Sequence, residues 1–204
     1  MLTLFTRQSG AALRMLLVAT VVLGLAYPLA VWGVAHVPGL SSQAEGSVLF
    51  RADGTPAGSS LIGIDPVAAA PANDPYFHTR PSASAQDVLG PGDPSTSGGS
   101  NKGGFSDDLL QAVEQRRTAI AEREGVRPDQ VPADAVTASA SGVDPHISVE
   151  YAELQVPRVA RVTGLSEAKV RELLAESTQP AQLGVFGADG VNVTALNLAV
   201  AAAR

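Results

Sequence analysis

Between Arg14 and His36 the chain runs through 21 residues without one charged side chain, MLLVATVVLGLAYPLAVWGVA. Wound as a helix at 1.5 Å per residue, this run spans about 31 Å, the thickness of a bilayer's hydrocarbon core. It is apolar on every side, whereas a helix lying on a protein surface keeps one polar stripe. Tyr27 and Trp32 lie toward its far end, and Trp32 suits the aromatic belt at a membrane–water boundary. Pro28 has no amide hydrogen, so it predicts a kink or a freed carbonyl inside the span. The rival reading is a cleaved signal peptide. Such peptides carry apolar stretches of about 7–15 residues before a small-x-small cleavage site. This run is longer and Val34-Ala35-His36 is a poor site, which favours an uncleaved signal anchor.

Charge sets the orientation. Arg7 and Arg14 precede the span with no acid beside them, while all 20 Asp and Glu and the other 12 of the 14 Lys and Arg follow it. Positive flanks stay inside. The expected organisation is a short cytoplasmic segment 1–14, a transmembrane helix 15–35 and an extracytoplasmic domain 36–204, all on a cell (inner or plasma) membrane. A net charge of −6 argues against a nucleic-acid partner. The chain has no cysteine, which removes disulfides, thiolate metal sites and cysteine nucleophiles together. Beyond the span there is enough chain for one domain with a core, but only six aromatic residues to fill it. A domain so short of aromatics is expected to lean on partners.

The pattern of the exported part predicts a mixed α+β fold with short strands. Residues 46–62 read as a hairpin, VLF and SLIG around an Asp53-Gly54 turn. Residues 63–83 read as loop. Residues 84–104 are Gly, Pro or Ser at 12 of 21 positions, which suits a linker or a loop that cradles something with its backbone. A helix is expected from an N-cap at Ser106, followed by Asp107 and Asp108, to Gly125. AVTAS (135–139) reads as a short strand. Helices follow over about 149–162, interrupted by Pro157, and after an N-cap at Ser166. GVFG and VNV read as extended pieces around Ala188-Asp189-Gly190, and the TALNLAVAAA tail as a helix with Asn192 as its cap.

Chemistry is sparse. His36, His78 and His146 have no spacing that would pair them on a metal. Ser139, Ser141, Asp144 and His146 are close in sequence, but no GxSxG elbow accompanies them, and Asp144-Pro145 reads first as a turn. A phosphate loop would need a Gly-Lys pair, and none occurs. The residues alone therefore leave three readings: an accessory membrane subunit, a membrane-anchored serine hydrolase using Ser139 or Ser141 with His146, and an exported binding module.

A series of short motifs narrows them. In order come GSSLIG (58–63), YFHTRPSA (76–83), SGGSN (97–101), VTASASGVDPHIS (136–148), QVPRVA (155–160), VNV (191–193) and Leu196-Asn197. Behind a single N-terminal span, this series resembles the C subunit of Kdp-type potassium-transporting ATPases, the KdpC family, over essentially the whole chain. It departs from the family's usual pattern at Ile64, Thr79 and Lys102-Gly103. The resemblance implies a non-catalytic accessory subunit that assembles and stabilises a high-affinity potassium importer. Its implied partners are a channel-like subunit, a P-type ATPase subunit and a small membrane peptide, in the lipid bilayer. No cofactor is implied on this chain; ATP and magnesium belong to the ATPase subunit. Coupling of an exported domain to cytoplasmic ATP would have to be indirect. The implied partner-contact or structural residues are Ser97, Gly98, Gly99, Ser100, Asn101, Asp144, His146, Gln155 and Arg158.

Overall fold

The computed structural model describes residues 2–204, with side chains from Phe5 onward. The chain divides into two compact units, Met1–Ser47 and Val48–Arg204. In the first, helix α1 (Leu2–Val21) passes through a π turn (Val22–Ala26) into α2 (Tyr27–Ala35), and a short α3 (Ser41–Ala44) follows. The 31 residues Phe5–Ala35 are long and apolar enough to cross a membrane. The irregularity expected at Pro28 takes the form of this π turn. The Tyr27 N–H bonds the Val22 carbonyl, so the helix changes register just before the proline, which then sits in the first turn of α2. There its missing amide hydrogen costs little.

The second unit is α+β, as the pattern predicted. Strands β1 (Val48–Phe50) and β2 (Pro56–Ser59) form the hairpin, pairing Val48 with Ser59 and Leu49 with Gly58. The second strand therefore precedes SLIG, where the sequence reading had put it. The turn decides this. The Asp53 carboxylate accepts the Thr55 N–H at 2.9 Å and Oγ1–H at 2.7 Å, and Arg51 N–H bonds the Thr55 carbonyl, so pairing resumes at once. Three further short strands, β3 (His146–Ile147), β4 (Thr178–Gln179) and β5 (Gly190–Asn192), make an antiparallel sheet with β5 in the centre.

Five helices accompany the strands. α4 (Asp107–Glu124) ends at Gly125, whose φ of 71° supplies the left-handed cap. Ser106 stands at its N-cap position, but its side chain makes no capping bond; Asp107 and Asp108 occupy the first turn. α5 (Ala133–Val136) replaces the strand read from AVTAS. Two alanines favour the helix, and Thr137 Oγ1 closes it by donating to the Ala133 carbonyl at 2.7 Å. α6 (Val149–Thr163) and α7 (Glu167–Glu176) are capped by the hydroxyls of Ser148 and Ser166, and α8 (Val193–Ala202) by the side chain of Asn192. GVFG is not extended: Gln182 and Phe186 exchange backbone bonds across a tight turn, with Leu183 and Gly184 left-handed.

The core lies where α6, α7 and α8 meet the β3-β5-β4 sheet and α4. It is mostly aliphatic, with Val156, Val159, Val170, Leu173, Val191 and Leu196 at its centre. Among the described residues Phe77 and Tyr151 are its only aromatic members, which matches the short supply in the sequence.

Candidate functional site

Residues 74–78, Asp-Pro-Tyr-Phe-His, belong to no helix or strand, yet Asp74, Phe77 and His78 are buried. Buried backbone must find partners, and here two helix side chains supply them. Gln155 of α6 accepts the His78 N–H at 2.8 Å and donates to the His78 carbonyl at 3.3 Å. Asn197 of α8 does the same for Phe77, at 2.8 Å in both directions. Each carboxamide presents one acceptor and one donor, the pair a neighbouring strand would offer. The segment is thus held as if in a sheet, between two helices.

Charge closes around it. His78 donates through Nδ1 to Asp65 at 2.8 Å and through Nε2 to Asp74 at 2.6 Å. A neutral imidazole has one N–H only, so bonding two carboxylates requires the imidazolium. Burial opposes that charge, but the bonds to Asp65 and Asp74 outweigh it and raise the His78 pKa. Asp74 is held below the usual carboxylate range: its desolvation is outweighed by His78, the Tyr76 N–H and Arg158. Arg158, 3% exposed, reaches the Asp74 and Tyr76 carbonyls at 2.8 and 2.9 Å and clasps Glu124 at 2.9 and 3.2 Å. Arg123 donates to Glu124 Oε1, which it shares with Arg158, at 2.7 Å and to the Tyr151 hydroxyl at 2.9 Å. Three carboxylates thus face three cations, so the network carries no excess charge into the interior.

A second cluster joins the glycine-rich loop to the DPHIS turn. Gly98 N–H bonds the Ser141 carbonyl at 2.8 Å, and Ser97 Oγ donates to the same oxygen at 3.0 Å. A side chain at Gly99 would meet the Ala140 carbonyl, and one at Gly142, which is left-handed at φ 73°, would meet the Gly98 carbonyl. The loop is therefore fixed at its base, while Ser97, Gly98, Ser100 and Asn101 remain exposed. Ser139 Oγ accepts the amides of Gly142 and Asp144 at 3.0 and 3.3 Å. Asp144 binds Arg80 at 2.6 Å and its own turn's His146 N–H at 2.9 Å. His146 Nε2 faces Gln179 Oε1 at 3.2 Å.

The sequence-predicted residues thus fall into two places. Ser97 to Asn101, Asp144 and His146 share one loop-and-turn cluster, whereas Gln155 and Arg158 sit inside the domain. A hydrolase would need Ser139 or Ser141 bonded to an imidazole. Ser139 and Ser141 bond each other at 3.2 Å, and both His146 nitrogens point to other groups. Among the described residues no three His, Asp or Glu side chains form a metal-binding group. Sequence reading missed Asp65, Asp74, Glu124 and Asn197. The only signal for them was the presence of Tyr76-Phe77-His78 and Leu196-Asn197 in the motif series, because the pairings that bury them also reach across the chain: His78 to Asp65 over 13 residues, Arg158 to Glu124 over 34 and Asn197 to Phe77 over 120.

The family model described as "KdpC: K+-transporting ATPase, c chain" matches residues 9–202. A potassium-transporting ATPase KdpC subunit from Kineococcus radiotolerans is 46% identical over 202 residues, covering 99% of this chain and 97% of the relative. Counterparts of the same description from Polaromonas naphthalenivorans and Mycobacterium tuberculosis are 45% and 44% identical, each over 95% of this chain and over 93% and 97% of their own lengths.

Proposed function

The chain belongs to the KdpC family, and from that membership we propose that it is the non-catalytic accessory subunit of a potassium-importing ATPase complex. The observation that carries this is the match itself, which runs through the apolar helix and the folded unit alike. The helix anchors the chain once in the cell membrane, with residues 1–14 in the cytoplasm and the folded domain outside, the orientation that the flanking arginines favour. The domain assembles and stabilises a channel-like subunit and a P-type ATPase subunit, with a small membrane peptide beside them. ATP and magnesium are bound by the ATPase subunit and not by this chain.

The geometry supports a structural role in a specific way. The hydroxyls that sequence alone offered as nucleophiles bond turn backbone and each other: Ser139 accepts the Gly142 and Asp144 amides, Ser141 accepts the Val143 amide, and the two oxygens meet at 3.2 Å. A hydroxyl that caps a turn is not poised as a nucleophile.

The test is growth on low potassium. Deleting the gene should abolish it, and full chains carrying Ser141→Ala or His146→Ala should restore it. Growth that fails with either variant, while the protein still folds and assembles, would reinstate a chemical role.

A further inference from the structure

Between the glycine-rich loop and α4 the folded unit holds an open cleft of about 470 Å³, walled in part by Gly99, Ser100, Lys102, Asp87 and Arg116. Arg116 is half-buried there, and its one bond is a donation to the Val136 carbonyl at 3.2 Å. The other arginines that are not fully exposed, Arg80, Arg117, Arg123 and Arg158, each pair with a carboxylate. Arg116 has none among the described residues. Its desolvation goes uncompensated, which makes the charged form less comfortable than in water. Lys102 is already engaged, with Asp108 at 3.0 Å. Arg116 is therefore the open cation of the cleft, and its planar fork suits a carboxylate.

The surroundings say where that carboxylate comes from. Phe105, three residues beyond Lys102, is wholly exposed. Arginine and aromatic side chains are enriched at protein interfaces. Phe105 lies outside the cleft's lining, so a small anion on Arg116 would leave the phenyl ring in water, whereas a protein surface wide enough to reach from Arg116 past Lys102 would cover it. The loop that carries Ser100 and Asn101 is anchored at Gly98 and open outward, so it presents a preformed rim with little ordering left to lose. We propose that this cleft receives an Asp or Glu side chain from another subunit of the complex, seated on Arg116, with apolar surface beside it covering Phe105. The proposal rests on the subunit reading above.

The chain has two lysines, Lys102 and Lys169, so the site can be probed cleanly. In the assembled complex, the double variant Lys102→Arg, Arg116→Lys is treated with a zero-length carbodiimide, which activates a carboxylate so that a contacting lysine, as its neutral amine, forms an amide with it and expels the urea. Mass spectrometry should find position 116 linked to an Asp or Glu of another subunit. A link to Asp87 of the same chain alone, or no link, overturns the proposal. As a second measure that does not depend on the buried position, Ser100→Glu puts a like charge at an exposed point of the cleft. It should lower the yield of complex at least fivefold, and unchanged yield counts against the proposal. If the wild-type chain itself brings no partner, the subunit reading falls and this inference with it. If wild type assembles and the variants assemble equally well, this inference falls alone.

Discussion

His78 ties two carboxylates together inside the folded unit, and its protonation should govern how stability responds to pH. Its folded pKa lies above the ordinary 6.5, so its contribution is complete below about pH 6.5 and is lost as pH rises through the raised value. Asp74 behaves in the opposite sense. Its folded pKa lies below the ordinary 3.8, so its contribution is complete above about pH 4 and is lost as pH falls through the lowered value. Thermal melts of the full chain in detergent should therefore show highest stability between those limits for this pair. The His78→Gln variant should lose the decline on the alkaline side. A wild-type melt that is flat from pH 6 to 9 would contradict the clasp. Arg158→Met leaves Glu124 buried with half its partners gone. Breaking a buried ion pair from one side costs about 3–5 kcal/mol, and denaturant titration should read a loss of that order. The clasp itself was not legible in the sequence, which offered only His78 and Arg158 within separate motifs. His78, Asp65 and Asp74 stood in a stretch that read as loop, and their burial follows from Phe77, whose ring the core takes in and whose neighbours must follow.

The boundaries of the four long helices of the folded unit, α4, α6, α7 and α8, were readable because local chemistry fixes them. Ser148, Ser166 and Asn192 accept the amides of Tyr151, Lys169 and Ala195, and Gly125 and Gly164 adopt the left-handed turn that ends a helix. Short strands were not readable in the same way. Two or three residues carry too little alternation, so SLIG and GVFG attracted strand readings that turn geometry overruled, and AVTAS gave way to a short helix. The segment 74–78 escaped notice because its strand-like bonds come from Gln155 and Asn197 instead of a neighbouring strand. Asn197→Leu should thus strand the Phe77 N–H and C=O in the interior and cost about 1–3 kcal/mol for each group left unpaired, measurable by denaturant titration. The glycine-rich loop makes a sharper case. Gly142→Ala combines a left-handed backbone, at about 1–2 kcal/mol for a residue with a Cβ, with contact against the Gly98 carbonyl. Its melting temperature should fall well below that of Gly98→Ala, where a Cβ meets open space. Equal effects would mean the loop is not pinned to the turn.

Across the whole molecule, the apolar run is the feature that ties sequence to function most directly. An uncharged helix of this length has few places to go outside lipid. The folded unit is harder to read because its core is nearly all aliphatic: two aromatic residues are buried, while Phe50, Phe105 and Phe186 lie exposed. Exposed rings on a subunit are surface that a partner can cover, and binding to the folded state alone stabilises it by mass action. The folded unit should accordingly melt at a higher temperature within the assembled complex than in the isolated chain. The proposed place of this chain is as one subunit among several. Its most direct test is purification from native membranes through a tag at Arg204. The account predicts that a channel-like protein and a P-type ATPase come with it in constant ratio; a chain recovered alone, from membranes that contain all the subunits, would contradict it.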